Sequence, residues 1–150
     1  MRVVIQRVSR ANVKIDERLI SEIGYGLMVL CGFEEGDEVE DLRWIAGKIS
    51  RLRIFDDEAG MMNLSVVDKA GEMMVISQFT LHASTKKGNR PSYIRALEPV
   101  RAKELYQLFV DELVCYSGIG VKTGIFGAYM MIELVNDGPV TIIIDSKMRE

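Results

Sequence analysis

The apolar positions fall into short runs whose spacing changes along the chain. From Arg2 to Val8, Val3, Val4, Ile5 and Val8 read as a strand. Ala11 to Ile15 alternates strictly, with Ala11, Val13 and Ile15 on one face and Asn12 and Lys14 on the other. Ile20 to Ile23 returns as a hairpin partner. After Gly24-Tyr25-Gly26, the unbroken run Leu27-Met28-Val29-Leu30-Cys31 predicts a strand covered on both faces. The period then lengthens: Val39, Leu42, Ile45, Ala46 and Ile49 sit at helical spacing, with Trp44 beside them, so a helix capped by Asp37 runs to about Leu52. Met73 to Leu81 is the next strand. Pro99 to Tyr116 is a second helix with Ala102, Leu105, Tyr106, Phe109 and Leu113 as its buried stripe. Tyr129 to Val135 and Val140 to Ile144 are strands separated by Asn136-Asp137-Gly138-Pro139, a turn by its residue chemistry. Strands with only two helices predict a mixed α/β domain, a largely antiparallel sheet or partial barrel covered by two helices.

A length of 150 residues fits one domain spanning 1–150, large enough to bury a core without staples. The formal net charge of −3 argues against a protein held to nucleic acid by bulk charge, and leaves room for a small basic site. Cys31 and Cys115 lie far apart in apolar segments and are expected to be buried thiols in a reducing compartment. A single histidine and no Cys/His cluster predict no zinc or other metal. The opening residues lack the apolar core of a signal peptide, and no run approaches the length of a membrane span, so a cytoplasmic location is expected. The nine methionines are spread through the predicted elements as core filler.

His82 is the only imidazole, so any hydroxyl–histidine mechanism must use it. On a regular strand Ser77, Phe79 and Leu81 face one way and Gln78, Thr80 and His82 the other, which separates Ser77 from His82. Phosphate-binding glycine loops are missing. The acidic run Asp56 to Gly60 reads as a solvated turn. Two segments carry possible chemistry. Ser77, Gln78 and Thr80 bring hydroxyl, amide and backbone N–H groups to the end of an apolar strand, followed by Lys86, Lys87 and Arg90, three cations within five residues. That loop is either a solvated charged turn or a phosphate contact of modest, salt-sensitive RNA affinity. The second segment is Asn136-Asp137-Gly138-Pro139-Val140-Thr141, where an X–Pro bond in a tight turn can be cis or trans.

Together these segments resemble the D-aminoacyl-tRNA deacylase family. One family motif stands here as Ser77-Gln78-Phe79-Thr80-Leu81, the other as Asn136-Asp137-Gly138-Pro139-Val140-Thr141. Ile5-Gln6-Arg7-Val8, Gly26-Leu27, Arg53-Ile54-Phe55, Met62-Asn63-Leu64, Arg90-Pro91-Ser92 and Phe126-Gly127-Ala128-Tyr129-Met130 follow the family's order across nearly the whole chain. The resemblance implies a cytosolic homodimer, without a cofactor, that hydrolyses the ester between a D-amino acid and the 3′ end of tRNA, spares L-aminoacyl-tRNA and also acts on glycyl-tRNA(Ala). It implies that Ser77, Gln78, Phe79 and Thr80 line the site, with N–H groups around Phe79 and Thr80 on the ester carbonyl. It further implies that Gly138 and Pro139 of one subunit, as a Gly-cisPro segment, form the chiral gate of the other. The substrate's own ribose 2′-OH assisting water would explain the lack of a catalytic histidine; Thr80 as nucleophile is the rival mechanism. Two readings from other classes stand beside it: a non-catalytic RNA-binding module using the Lys86–Arg90 loop, and a His82-dependent hydrolase of small esters.

Overall fold

The computed structural model describes residues 1–149. In chain order the elements are β1 (Arg2–Ile15), β2 (Arg18–Ile23), β3 (Gly26–Gly32), α1 (Val39–Arg51), β4 (Phe55–Asp56), β5 (Met62–Leu64), β6 (Glu72–Ser77), a 3-10 turn (Phe79–His82), α2 (Pro99–Ser117), β7 (Val121–Thr123) and β8 (Met131–Asp145). β1 organises the sheet. Its first half pairs antiparallel with β3, its second half with β2, and its other edge with β8 along nearly its whole length. β3, β6 and β7 continue as a parallel set, so the antiparallel expectation holds around β1 and gives way beyond β3. The Ser21 hydroxyl donates to the Thr123 carbonyl at 2.7 Å, bringing β2 round to β7 and leaving a nearly closed, barrel-like sheet.

Strand alternation builds two cores. Val3, Ile5, Leu27, Val29, Met73 and Val75 face the helices, meeting Leu42, Ile45 and Ile49 of α1 and Leu105, Phe109 and Leu113 of α2. The opposite faces, with Val8, Val13, Ile23, Met28, Met74 and Ile76, fill the concave side of the sheet. That explains the unbroken apolar run of β3: both of its faces are covered.

Several expected boundaries change. Glu38, not Asp37, caps α1; Asp37 is buried, accepting the Glu34 N–H at 2.8 Å and pairing with the Met1 ammonium. The two segments predicted on either side of Ser9 form one 14-residue strand. Asn136 to Pro139 is not a turn separating two strands. It is a bulge inside a single 15-residue strand, because Thr141 and Asn136 both pair with β1, opposite Gln6 and Val8. Four residues of β8 stand against Arg7 alone. β6 stops at Ser77 instead of running to Leu81. Cys31 is buried as expected, whereas Cys115 lies exposed on α2; both are free thiols.

Candidate active site

β6 ends where its parallel partner β3 ends. The Gln78 N–H donates to the Cys31 carbonyl at 2.7 Å, and the chain then turns away from the sheet. Gly32 permits this: a Cβ there would sit 2.7 Å from the Gln78 carbonyl oxygen and 3.1 Å from His82 Cδ2. Phe79 to His82 form the 3-10 turn, closed by Leu81 N–H to the Gln78 carbonyl at 3.3 Å and Ala83 N–H to the Thr80 carbonyl at 3.0 Å. The first N–H groups of a helical turn have no partner within it. Among the described residues neither the Phe79 nor the Thr80 N–H meets a protein acceptor. The Thr80 hydroxyl accepts a hydrogen bond from Gln78 Nε2, and no base is bonded to it.

A cleft of about 670 Å³ opens beside this turn. Ser77, Gln78 and Phe79 line one side; Leu97, Phe126 and Tyr129 are among the residues facing them. Thr80 is half-buried and is not part of the lining. Phe79 and Tyr93 pack edge to face, with centroids 5.1 Å apart, at the cleft mouth. Burial raises the Cys31 thiol pKa far above its ordinary value, so this cleft residue is neutral. The phenol of Tyr106 is likewise raised by burial, and its O–H donates to the Val75 carbonyl at 2.8 Å. Among the described residues no three His, Cys, Asp or Glu side chains gather as a metal site.

His82 corrects the strand-based expectation. It belongs to the 3-10 turn and is fully buried, so the alternation assumed beyond Ser77 does not apply. Neither ring nitrogen has a hydrogen-bond partner among the described residues; Nδ1 lies 3.7 Å from Glu34 Oε2, whose carboxylate is taken by Arg95 at 2.7 Å. Two unsatisfied buried nitrogens destabilise the fold. Exchanging His82→Leu is expected to leave the ester cleavage implied by the resemblance within about twofold and stability equal or higher by about 1 kcal/mol, read by a thermal melt and an ester-cleavage assay. Collapse of activity in a folded His82→Leu protein would restore a histidine mechanism.

Gly138 and Pro139 are exposed, and the peptide between them is cis. Arg7, buried beneath the bulge, donates from Nε to the Asp137 carbonyl at 3.1 Å and from Nη1 to the Ile54 carbonyl at 2.8 Å, and its Nε lies 3.2 Å from the Asp137 carboxylate. One chain does not bring the two motifs together. The bulge stands opposite Arg7, whose β3 partner is Leu27, while Ser77 pairs with Cys31, four residues or about 13 Å further along β3. Lys86, Lys87 and Arg90 are exposed in a loop closed by reciprocal Ser84–Ser92 hydrogen bonds, and none of the three pairs with a carboxylate among the described residues.

Sequence reasoning missed Arg2. Its Nη1 donates to the Leu81 carbonyl at 2.8 Å, while Nε and Nη2 grip one Asp145 oxygen at 3.0 and 2.8 Å. Burial pushes the Asp145 carboxyl up, but the Lys147 N–H and Arg2 outweigh it and hold it below the usual carboxylate range. Two isolated arginines in apolar strands, Arg2 and Arg7, were the available signal.

The family model described as D-Tyr-tRNA(Tyr) deacylase matches residues 4–145. The chain belongs to this family. D-aminoacyl-tRNA deacylases of Parabacteroides distasonis and Flavobacterium psychrophilum are 59% and 57% identical to it, each over 150 residues and the full length of both chains. A solved structure titled c-Myc DNA Unwinding Element Binding Protein superposes with a TM-score of 0.90 at 40% identity, covering 97% of this chain and 98% of that one. A probable eukaryotic D-amino acid tRNA deacylase shares the fold, with a TM-score of 0.81 at 17% identity over 95% of this chain and 97% of its own.

Proposed function

We propose that the chain hydrolyses the ester of D-aminoacyl-tRNA, using main-chain groups as its principal catalytic apparatus. The observation that carries this reading is the pair of unpartnered N–H groups, on Phe79 and Thr80, at a turn beside a cleft that contains no activated hydroxyl. Water adds to the ester carbonyl carbon, and the carbonyl oxygen takes the negative charge against those two N–H groups. The ribose 3′-oxygen then leaves with the carbonyl–oxygen bond electrons and receives a proton, giving free D-amino acid and intact tRNA. An aminoacyl ester is already reactive, so fixed donors and positioned water suffice, with the neighbouring ribose 2′-OH assisting the water. No cofactor is called for.

Handedness is read elsewhere. Gly138 and Pro139 lie exposed on the bulge, about 13 Å along the strands from Ser77, so they serve as the gate only in a second copy's cleft, which makes the working form a homodimer. A main-chain wall next to the substrate α-carbon excludes an L side chain by collision and leaves a D side chain unread. Glycine lacks the group that collides, so glycyl-tRNA(Ala) is also cleaved. The place of action is the cytoplasm, where tRNA is charged.

Lys86, Lys87 and Arg90 follow the catalytic turn in sequence and supply phosphate contacts for the tRNA. Replacing all three by glutamine is expected to raise KM about tenfold at moderate salt, and to flatten its log–log salt dependence by about two to three, with kcat unchanged. Kinetics at several salt concentrations read this directly. An unaltered KM would reduce the loop to a solvated turn, and a protein that binds tRNA but leaves D-tyrosyl-tRNA intact would be the non-catalytic RNA-binding module instead.

A further inference from the structure

We propose that Arg2 is a positioning residue for the deacylation, acting on the catalytic turn from its carbonyl end. The inference rests on the reading that the turn's free N–H groups receive the developing oxyanion. A guanidinium presents several donors in a rigid plane, and Arg2 divides them: two go to Asp145 and one to the Leu81 carbonyl. The side chain is three-quarters buried, at 24% exposed, and Asp145 is 9% exposed, so the pair is shielded and held in one orientation.

The connectivity of the turn gives that contact a route to the chemistry. In a 3-10 turn each N–H faces the carbonyl three residues back. The peptide whose oxygen takes the Arg2 bond ends in the His82 N–H, which faces the Phe79 carbonyl; that next peptide ends in the Thr80 N–H, one of the two free donors. Arg2 thus stands at the head of a two-peptide relay that terminates at the proposed oxyanion. Hydrogen bonds in series polarise one another, and a cation at the carbonyl end of a helical turn has the favourable sign. The same bond fixes where the turn sits. Gln78 N–H anchors its start to β3, Arg2 anchors its end to β1 and, through Asp145, to β8, and the His82 ring contributes no hydrogen bond.

The test compares wild type, Arg2→Met and Arg2→Lys on D-tyrosyl-tRNA, with thermal melts alongside. Methionine keeps the stem and removes every donor; lysine restores one charged donor. Arg2→Met is expected to lower kcat about tenfold, less than the 10²–10³ of a lost oxyanion donor, with KM within about twofold. Arg2→Lys is expected to recover at least about half of the loss on a logarithmic scale. A residue that only supports the fold would change the melting temperature without this kcat-specific loss and rescue. Unchanged kcat in folded Arg2→Met, a loss confined to KM, or no recovery in Arg2→Lys overturns the proposal. If Arg2→Met does not fold, Asp145→Asn decides: a several-fold fall in kcat at constant KM supports it, and an unaltered kcat overturns it. Wild-type protein that leaves D-tyrosyl-tRNA intact would instead refute the underlying reading of the turn.

Discussion

Phe79→Pro is expected to cut kcat on D-tyrosyl-tRNA by about 10²–10³ relative to Phe79→Ala, at little cost in stability. Both substitutions remove the aromatic ring, so their difference isolates one backbone N–H. The position accepts proline well. Phe79 is the first residue of the turn, its N–H has no protein acceptor to lose, and Gln78 before it lies outside the α region that a following proline disfavours, at φ −145° and ψ 86°. Thr80→Ala, in contrast, is expected to keep most of the activity, since the hydroxyl is engaged with Gln78 and has no base. Single-turnover rates on the three variants separate the possibilities. Equal rates for Phe79→Pro and Phe79→Ala would remove this donor from the mechanism, and near-complete loss in Thr80→Ala would favour a covalent nucleophile.

The other large effect concerns handedness. Wild type is expected to cleave D-tyrosyl- and D-aspartyl-tRNA at comparable rates and L-tyrosyl-tRNA about 10³-fold more slowly, the ratio of a collision worth about 4 kcal/mol. The backbone of the proposed gate leaves little room for change. A Cβ on Gly138 would lie 2.7 Å from Val140 Cγ2 and 2.9 Å from the Val140 nitrogen, at a φ of +136° that L-residues rarely adopt. Gly138→Ala must therefore displace the bulge, and a shift of about 1 Å is sufficient to lower D-tyrosyl-tRNA cleavage about 10²-fold. Deacylation assays with each enantiomer read both numbers. Equal turnover of D- and L-tyrosyl esters by wild type would end the gate hypothesis.

Much of the fold was legible because burial and periodicity agree. The stripe of Leu105, Tyr106, Phe109 and Leu113 places α2, and the run Leu27 to Cys31 correctly announces a strand with two covered faces. The failures have physical causes. Phe79 and Leu81 continue the alternation of β6, so the pattern hides a 3-10 turn that depends on Gly32 admitting the Gln78 carbonyl. Asn-Asp-Gly-Pro carries turn chemistry, yet β1 is long enough to pair with both flanks and Arg7 fastens the excess loop, so a bulge forms in place of a reversal. β7 comprises only Val121–Thr123, too few residues for a periodic signal. Ser77, Gln78 and Thr80 drew notice by residue type, as polar groups ending an apolar strand, and Phe79 only through the family resemblance. Arg2 was not, because its importance lies in a contact across 79 positions of sequence.

The pairing of β1 with β8 also governs how the molecule is assembled. Arg2 lies against Asp145, 143 positions away, and the ladder continues to Lys14 opposite Met131. Until β8 arrives, one whole edge of β1 offers unsatisfied peptide groups, the geometry that recruits strands from neighbouring chains. Synthesis delivers β8 after the strands and helices it joins, so the nascent protein carries that open seam until β8 has been made. Acquisition of structure should accordingly be slow for its size, in the milliseconds-to-seconds class typical of distant strand partnerships, and most vulnerable to aggregation just before β8 is in place.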